Sequence, residues 1–464
     1  MFPNTSLSFS STTRGFLGGL GLLLLPACSD NYLTDGEVKI NVGQETEAWT
    51  TDPAAKDVLL EMVEGTKRTT LANKVAAPAT SISIGTNGPQ NSVASFEATA
   101  FDDNGNVVMK GSTVPLAIFG FEDATISLFM GRVGGLSRGR GSLLLPWRKH
   151  PQVAIFYHAY LLVSGGDDQA ADLDVYDMAH WGVLEKQDPL PKVPRSWAVA
   201  GSNVLLIDEK GGEWLDMSAL TTTSVTPPAE LSYAKVLDGQ TIGGPGEPQF
   251  IVGATRATGE MTDQVLRVDV DGSLQVLKLN TPRLGASATM INGKLLVVGG
   301  SDTGAGAEIE NSDGTGFTEL PFEADAKQGA ALVALDESTA YLAGGSDPAN
   351  ADEIAGFRIM DLNCSEACSQ VEIAKADFGF THPRLFRLSG DQLLAVGEDP
   401  KTEETHVFTF DAGIGHALHE FALNTPRTSA SAFLLPNGQV GVLGGSELGS
   451  DTAAASVEFF FPQP

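Results

Sequence analysis

Two stretches of the chain decide its fold: TPRLGASATMINGKLLVVGG at residues 281–300 and TPRTSASAFLLPNGQVGVLGG at residues 425–445. Each has a Pro-Arg step, an apolar run, an Asn-Gly pair, a second apolar run and a closing diglycine. Asn-Gly is favoured in tight β-hairpins because both residues tolerate a positive φ. Each stretch therefore predicts two antiparallel strands joined by a short turn.

Parts of this phrase recur along the last two thirds of the chain. Further Pro-Arg steps end at Arg195 and Arg384, and residues 204–208 are the aliphatic run of a copy that lacks the diglycine. The closing glycines or their equivalents are Gly166, Gly253, Gly300, Gly345, Gly397 and Gly445. Together these are seven copies, and their length of about 45–50 residues is that of a β-propeller blade. Six or eight blades also fit the spacing.

The last copy predicts how the ring closes. It ends with the apolar run of residues 457–461 and has no fourth strand of its own. We expect residues 142–145 to supply that strand, because a strand from the N-terminal side would remove a free sheet edge.

The position of the diglycine resembles that of the kelch repeat. In this chain each diglycine of the phrase directly follows an aliphatic strand. The four intact ones are residues 165–166, 299–300, 344–345 and 444–445. In some copies an apolar strand follows, as at residues 173–176 and 456–460. The resemblance implies an all-β protein in which residues 141–464 form a kelch-like β-propeller of seven, alternatively six, blades.

Residues 37–131 show no copy of the phrase. They alternate polar and apolar residues in short runs, such as residues 38–42 and 95–100. Alternation with a period of two predicts strands with one buried face. Several such strands indicate a small β-sandwich, immunoglobulin-like in outline.

A basic, Gly-rich connector is predicted at residues 132–140. The chain has no acidic residue from 131 to 150, whereas Arg132, Arg138 and Arg140 lie there. This local reversal of charge favours a connector held against the acidic second domain. A patch that binds anionic lipid or polysaccharide is the alternative.

The N-terminal segment predicts export. Arg14 is followed by an apolar run, residues 15–25, which is too short to span a bilayer and is typical of a signal peptide. The run ends in Leu25-Pro26-Ala27-Cys28, which resembles the bacterial lipoprotein box. The resemblance implies cleavage of residues 1–27 and lipidation of Cys28.

A lipidated Cys28 would hold the protein in the bacterial cell envelope. Each buried CH₂ contributes about 0.8 kcal/mol, so two or three acyl chains anchor a protein stably. A tether at residues 28–36 would keep the folded part close to the membrane. Ser29 follows the cysteine, and by resemblance to other lipoproteins this is compatible with the outer membrane.

The two remaining cysteines, Cys364 and Cys368, are predicted to form a disulfide. An exported chain meets oxidising conditions, and the two residues are close in sequence. Closing so small a loop would contribute about 2 kcal/mol by chain entropy. Free or metal-bound thiols are the alternative.

Charged residues recur at fixed places in the repeated phrase. The acids after the diglycine or its equivalent are Asp167, Asp208, Asp302, Asp347, Glu398 and Glu447. The bases at the start of the first strand are Arg148 or Lys149, Arg195, Arg283, Lys327, Arg384 and Arg427. Because the two strands are antiparallel, Arg283 should face Asp302 and Arg427 should face Glu447. We favour structural ion pairs; a rim that binds a charged partner is the alternative.

Composition and motifs narrow the function. The formal net charge of −29 disfavours nucleic-acid binding. Enzymes of the galactose-oxidase type resemble kelch propellers and use a copper site of two His and two Tyr, one joined to a Cys; no such Tyr-Cys partnership is evident. The sequence contains no nucleophile elbow, P-loop or dinucleotide fingerprint. We therefore expect no cofactor.

The fold and this chemistry favour a binding role. We expect non-catalytic recognition or scaffolding of a protein or glycan ligand at the cell envelope, through the propeller loops. A carbohydrate-active or oxidative enzyme with a site at the propeller funnel is the alternative.

Overall fold

The computed structural model describes most of the chain beyond the N-terminal segment. The described ranges are residues 32–88, 93–117, 125–145, 149–166, 170–184, 187–219, 221–244, 246–253, 259–366, 368–376, 379–388, 390–412 and 417–463. The predicted signal peptide and Cys28 lie outside them, as do Arg148 and Asp167. No helix in these ranges has the length and apolar character needed to cross a bilayer.

The N-terminal domain consists of strands that surround one apolar core. The strands are β1 (Tyr32–Asn41), β2 (Asp57–Glu64), β3 (Lys67–Ala76), β4 (Ser81–Gly88), β5 (Val93–Phe101), β6 (Val107–Ser112), β7 (Leu116–Ala117) and β8 (Thr125–Arg132). They pair in the order β3-β2-β5-β6-β8-β1-β4, and β7 pairs with β5. Val38, Leu60, Phe96 and Leu128 are buried in the same core cluster, so the alternating residues point inward as expected. The immunoglobulin-like outline stays a prediction.

The rest of the chain forms a β-propeller. Its strands are β9 (Gly135–Arg138), then β10 (Gln152–Phe156), β11 (Tyr160–Gly165), β12 (Ala170–Asp177) and β13 (Gly182–Val183) in blade 1, and β14 (Ser196–Ala200), β15 (Asn203–Asp208), β16 (Gly211–Asp216) and β17 (Thr221–Val225) in blade 2. Blade 3 has β18 (Gln240–Ile242), β19 (Gln249–Val252), β20 (Thr262–Val268) and β21 (Leu274–Arg283), preceded by a 3₁₀ turn at Tyr233–Lys235. Blade 4 has β22 (Ser287–Ile291), β23 (Lys294–Val298), β24 (Ala307–Glu310) and β25 (Phe317–Leu320).

The remaining blades carry two short additions. Blade 5 has β26 (Ala331–Ala334), β27 (Thr339–Ala343), β30 (Phe357–Asp361) and β31 (Val371–Ala374), with an inserted hairpin, β28 (Ser346–Asp347) and β29 (Asn350–Ile354). Blade 6 has β32 (Thr381–Arg387), β33 (Gln392–Glu398), β34 (Thr405–Asp411) and β35 (His419–Phe421). Blade 7 has β37 (Ser431–Leu434), β38 (Val440–Leu443), β40 (Glu458–Phe461) and β9, beside a small pair, β36 (Arg427–Thr428) and β39 (Ser446–Glu447).

The blades form a closed ring. The first strand of each blade contacts the first strand of the next, in the order β10, β14, β18, β22, β26, β32 and β37, and β37 contacts β10 again. First strands therefore line the central axis. The all-β fold class and the seven-bladed propeller are confirmed.

The ring is closed by an N-terminal strand, but not by the predicted one. The fourth strand of blade 7 is β9, whose residues Gly135–Arg138 pair with Phe461–Glu458. Residues 142–145, predicted for this role, do not form that strand: Leu143 donates a hydrogen bond to Ala455 O at 2.7 Å and packs in the core cluster of Phe459. The prediction was wrong because Leu136 is the one large apolar residue of β9. Such a short strand has no alternating pattern, and the Gly and Arg residues around it are typical of a connector.

The diglycines are required by the backbone. Gly444 and Gly445 have φ angles of 72° and 82°. A Cβ on Gly445 would lie 2.0 Å from the carbonyl oxygen of Thr428. Only glycine combines this left-handed conformation with so close an approach of two chains, which explains why the pair marks the end of a second strand.

The two faces of the propeller differ. On one face, here called the loop face, first strands begin, second strands end, and chain segments such as residues 299–306 and 344–356 connect second to third strands. On the other, the turn face, tight turns such as Asn292-Gly293 join first to second strands.

The N-terminal domain packs against the turn face. Phe129 of β8 contacts Trp181 of blade 1 and Phe459 of blade 7, with ring centroids 5.2 and 5.5 Å apart. Asn437, in the turn between β37 and β38, donates a hydrogen bond to Ser112 O at 3.1 Å.

The predicted disulfide is confirmed. Cys364 and Cys368 are joined by an S–S bond in the segment between β30 and β31. Cys368 is buried, and its N–H donates to Pro321 O of blade 4 at 3.0 Å. The small loop therefore secures the outer part of blade 5 to its neighbour.

Candidate functional site

The repeated Pro-Arg phrase builds buried ion pairs, although not the predicted ones. Arg283 Nη2 lies 2.9 Å from Glu308 Oε1, and Arg427 Nη2 lies 2.6 Å from Glu458 Oε1. The four side chains are at most 1% exposed. Arg427 and Glu447 are opposite each other in the backbone register, but the guanidinium extends past β39 to the third strand of its blade. The predicted placement of Arg427 opposite Glu447 is confirmed, but the arginines form their ion pairs with Glu308 and Glu458 and not with Asp302 and Glu447.

Each of these arginines also bonds the diglycine. Arg283 donates to Gly299 O at 2.8 Å, and Arg427 donates to Gly444 O at 3.3 Å. The carboxylate in turn accepts two backbone N–H groups ahead of the arginine; in blade 7 these are Asn424 N and Thr425 N, at 2.7 and 2.9 Å. The arginine and the carboxylate thus connect the segment before the first strand of a blade to the second and third strands of that blade.

Blade 5 contains the same kind of buried ion pair, but the acid and the base have exchanged positions. Arg358 is on the third strand, at the position that Glu308 and Glu458 hold in their blades. It donates to Gly344 O at 2.8 Å and lies 3.4 Å from Asp325 Oδ2, ahead of the first strand. Burial raises the pKa of Asp325, but Arg358 and Lys327 outweigh burial and leave that pKa below its usual value. The ion pair is present in all three blades, whichever of the two positions carries the acid. This indicates that the pair stabilises the blade and does not recognise a charged ligand.

The other predicted members of the ring are dispersed. Arg195 bonds Glu209 and Asp238, whereas Asp208 bonds Lys192. Lys327 lies 3.2 Å from Asp325.

Two arginines of the predicted connector, Arg132 at the end of β8 and Arg138 at the end of β9, bind residues of the N-terminal domain. Arg138 pairs with Glu45 at 2.7 Å, and Arg132 donates to the carbonyls of Ala48, Thr51 and Pro53. These two arginines therefore hold residues 45–53 next to β9.

One cluster at the loop face differs from these pairs. His150 lies at the entry to blade 1, His382 at the start of β32 in blade 6, and Glu398 at the end of β33. The N–H of His150 donates to the carbonyl of Ser429 at 2.8 Å, and Ser429 lies at the entry to blade 7. Chain segments of three neighbouring blades thus converge where the first strands surround the axis.

The three side chains are in direct contact. His150 Nε2 lies 2.9 Å from Glu398 Oε1 and 3.0 Å from Oε2, and His382 Nδ1 lies 3.2 Å from Oε2. The two imidazole rings have centroids 4.1 Å apart. The Glu398 side chain is 3% exposed, whereas that of His382 is 51% exposed. The cluster therefore has a buried carboxylate at its base and an open side.

Electrostatics keeps this carboxylate charged. Burial raises the pKa of Glu398, but the hydrogen bonds and charges of His150 and His382 outweigh burial, and the pKa lies below its usual value. Two imidazole nitrogens and an ionised carboxylate are ligands that first-row transition metals accept. The same atoms can also form a purely hydrogen-bonded cluster.

Sequence reasoning missed this cluster, since His150 and Glu398 are 248 residues apart and blade closure alone brings them together. One signal was present: Glu398 follows the diglycine position, where an acid recurs. The site residues that the sequence predicts are not part of this cluster. Cys28 lies outside the described residues, and Cys364 and Cys368 form their disulfide between β30 and β31.

Compared with models of known families and with curated proteins, the chain shows no match. The fold is therefore established by the blades themselves, and the kelch resemblance remains an inference from the diglycine phrase.

Proposed function

We propose that this chain is a bacterial, kelch-type lipoprotein of the cell envelope, anchored through Cys28 and placed at the outer membrane. Its role is non-catalytic recognition or scaffolding of a protein or glycan ligand through the loops of the propeller.

The observation that carries the proposal is the placement of the N-terminal domain. It packs on the turn face through Phe129 and Asn437, which leaves the loop face for a ligand. Segments that connect elements at one end of a rigid scaffold are the usual place for recognition. The β28–β29 hairpin projects there beside a shallow groove of about 300 Å³, lined by Asn350, Asp352, Glu353, Ile354, Lys375 and Gly379.

Replacing Cys28 with Ser should release the protein from the membrane fraction. Without acyl chains the anchor loses about 0.8 kcal/mol for each CH₂ that was buried. Fractionation of cells together with incorporation of labelled palmitate measures this. Cys364→Ser is the matched control and should stay membrane-bound; a Cys28→Ser protein that stays labelled and sedimented contradicts the anchor.

Changing a loop-face charge should weaken ligand binding. Asp352→Lys reverses an exposed charge at the groove, and Glu337→Lys reverses an exposed charge on the turn face of the same blade. A glycan array and an envelope pull-down would identify the ligand, and titration of each variant would follow. We expect at least about a tenfold loss for Asp352→Lys, roughly 1.4 kcal/mol, and none for Glu337→Lys. The reverse order contradicts recognition by the loop face.

A second candidate is favoured by the convergence of His150, His382 and Glu398 at the mouth of the axis. It is a carbohydrate-active or oxidative enzyme, since such sites occur where convergent polar groups lie in a concavity. Turnover of an envelope polysaccharide or sugar that is lost in His382→Ala would support it.

A further inference from the structure

We propose that His150 Nε2, His382 Nδ1 and a carboxylate oxygen of Glu398 form a binding site for a divalent transition-metal ion, best fitted by Zn²⁺, at the loop-face end of the propeller axis. This site is independent of the proposed recognition function.

The distances fit a single ion. The ligand atoms of the three residues all lie within 4.8 Å of one another. Zinc binds His nitrogen and carboxylate oxygen at about 2.0–2.2 Å, so neighbouring ligands of a tetrahedral ion are about 3.3 Å apart. His150 Nε2 and His382 Nδ1 lie 3.0 and 3.2 Å from the same oxygen, Glu398 Oε2, within a few tenths of an ångström of that separation. Small side-chain movements would admit the ion.

The donor set selects the kind of ion. Two imidazoles with one carboxylate suit Zn²⁺ and its first-row neighbours, whereas Ca²⁺ and Mg²⁺ require oxygen ligands. Three protein ligands leave a position for water or for a group of a bound partner. Because His382 is 51% exposed, that position faces solvent at the axis.

The backbone presents the ligands before any ion binds. His150 and His382 have φ angles of 38° and 46°, in the left-handed region that is uncommon for residues other than glycine. The bond from His150 N to Ser429 O fixes one of them, and β32 and β33 fix the other two ligands. A bound ion would join blade 1 to blade 6 across the entry to blade 7.

The test is titration of the full chain, freed of metal by a chelator and dialysed, with ZnCl₂ in a calorimeter. We expect one ion per chain, no competition from equal Mg²⁺ or Ca²⁺, and a rise in Tm on adding Zn²⁺. His382→Ala and Glu398→Gln should each weaken binding by at least about 100-fold.

Two controls separate this site from adventitious binding. His180→Ala removes a histidine that is paired with Asp177 on the turn face and should leave the affinity unchanged. His382 is half exposed, so its alanine variant should fold, which a thermal melt without metal checks. If the parent does not bind Zn²⁺, or if His382→Ala and Glu398→Gln bind it as the parent does, the three side chains are a hydrogen-bonded cluster and the proposal is wrong.

Discussion

Replacing Arg427 with Met destabilises the protein by about 3–5 kcal/mol, because the change leaves Glu458 as a buried charge without its partner. Both side chains are fully buried, and the guanidinium also donates to Gly444 O, Ser456 O and Ser456 Oγ. Methionine fills much of the volume but satisfies none of these oxygens. Denaturation in urea, followed by circular dichroism, measures the change in the free energy of unfolding.

An exposed pair provides the matched control. Lys278 lies 2.7 Å from Glu230, and both side chains are more than half exposed. Lys278→Met should leave the free energy of unfolding almost unchanged, since water screens such pairs. If Arg427→Met costs no more than Lys278→Met, the buried Arg427–Glu458 pair does not stabilise the blade.

Removing the closing strand should have an even larger effect. A chain that begins at Gly141 lacks β9, so β40 loses its outer neighbour, and Phe459, Phe460 and Phe461, all buried, lose cover. Each fully buried aromatic side chain contributes about 1.5–3 kcal/mol, and a typical domain is stable by only about 5–15 kcal/mol. We expect this chain to aggregate or to lack a cooperative melting transition.

A chain that begins at Val133 separates the strand from the N-terminal domain. It retains β9 but loses the contacts that Phe129 makes with Trp181 and Phe459. It should therefore give a cooperative melt at a lower temperature than the full chain, with a monomeric elution volume. Equal behaviour of the two truncated chains would show that the domain, and not β9, holds the ring closed.

The blades could be predicted from the sequence because their signal is local. Diglycines with positive φ and Asn-Gly turns have few structural alternatives, and each of the seven predicted copies supplies a second strand, from β11 to β38. Strand β9 could not be predicted, since it is short and lies in a segment rich in Gly and Arg. Its role depends on a partner more than 300 residues away.

Side-chain partners were harder to predict than strands. Register places Arg427 opposite Glu447, and that much followed from antiparallel pairing. The guanidinium is long enough to reach Glu458 on the next strand, where burial strengthens the interaction. The His150–His382–Glu398 cluster depends on the angular positions of blades 1 and 6, which local patterns do not encode.

Because blade 7 contains strands from both ends of the propeller sequence, it can be completed only after the whole propeller has been synthesised. Strand β9 leaves the ribosome early, and its partner Glu458–Phe461 follows only after every other blade has been synthesised. Contacts between such distant segments are slow to form, and the open intermediate exposes sheet edges that can pair with other chains. The seventh blade therefore stays incomplete in the growing chain until Phe461 has been added, and β9 waits unpaired until then.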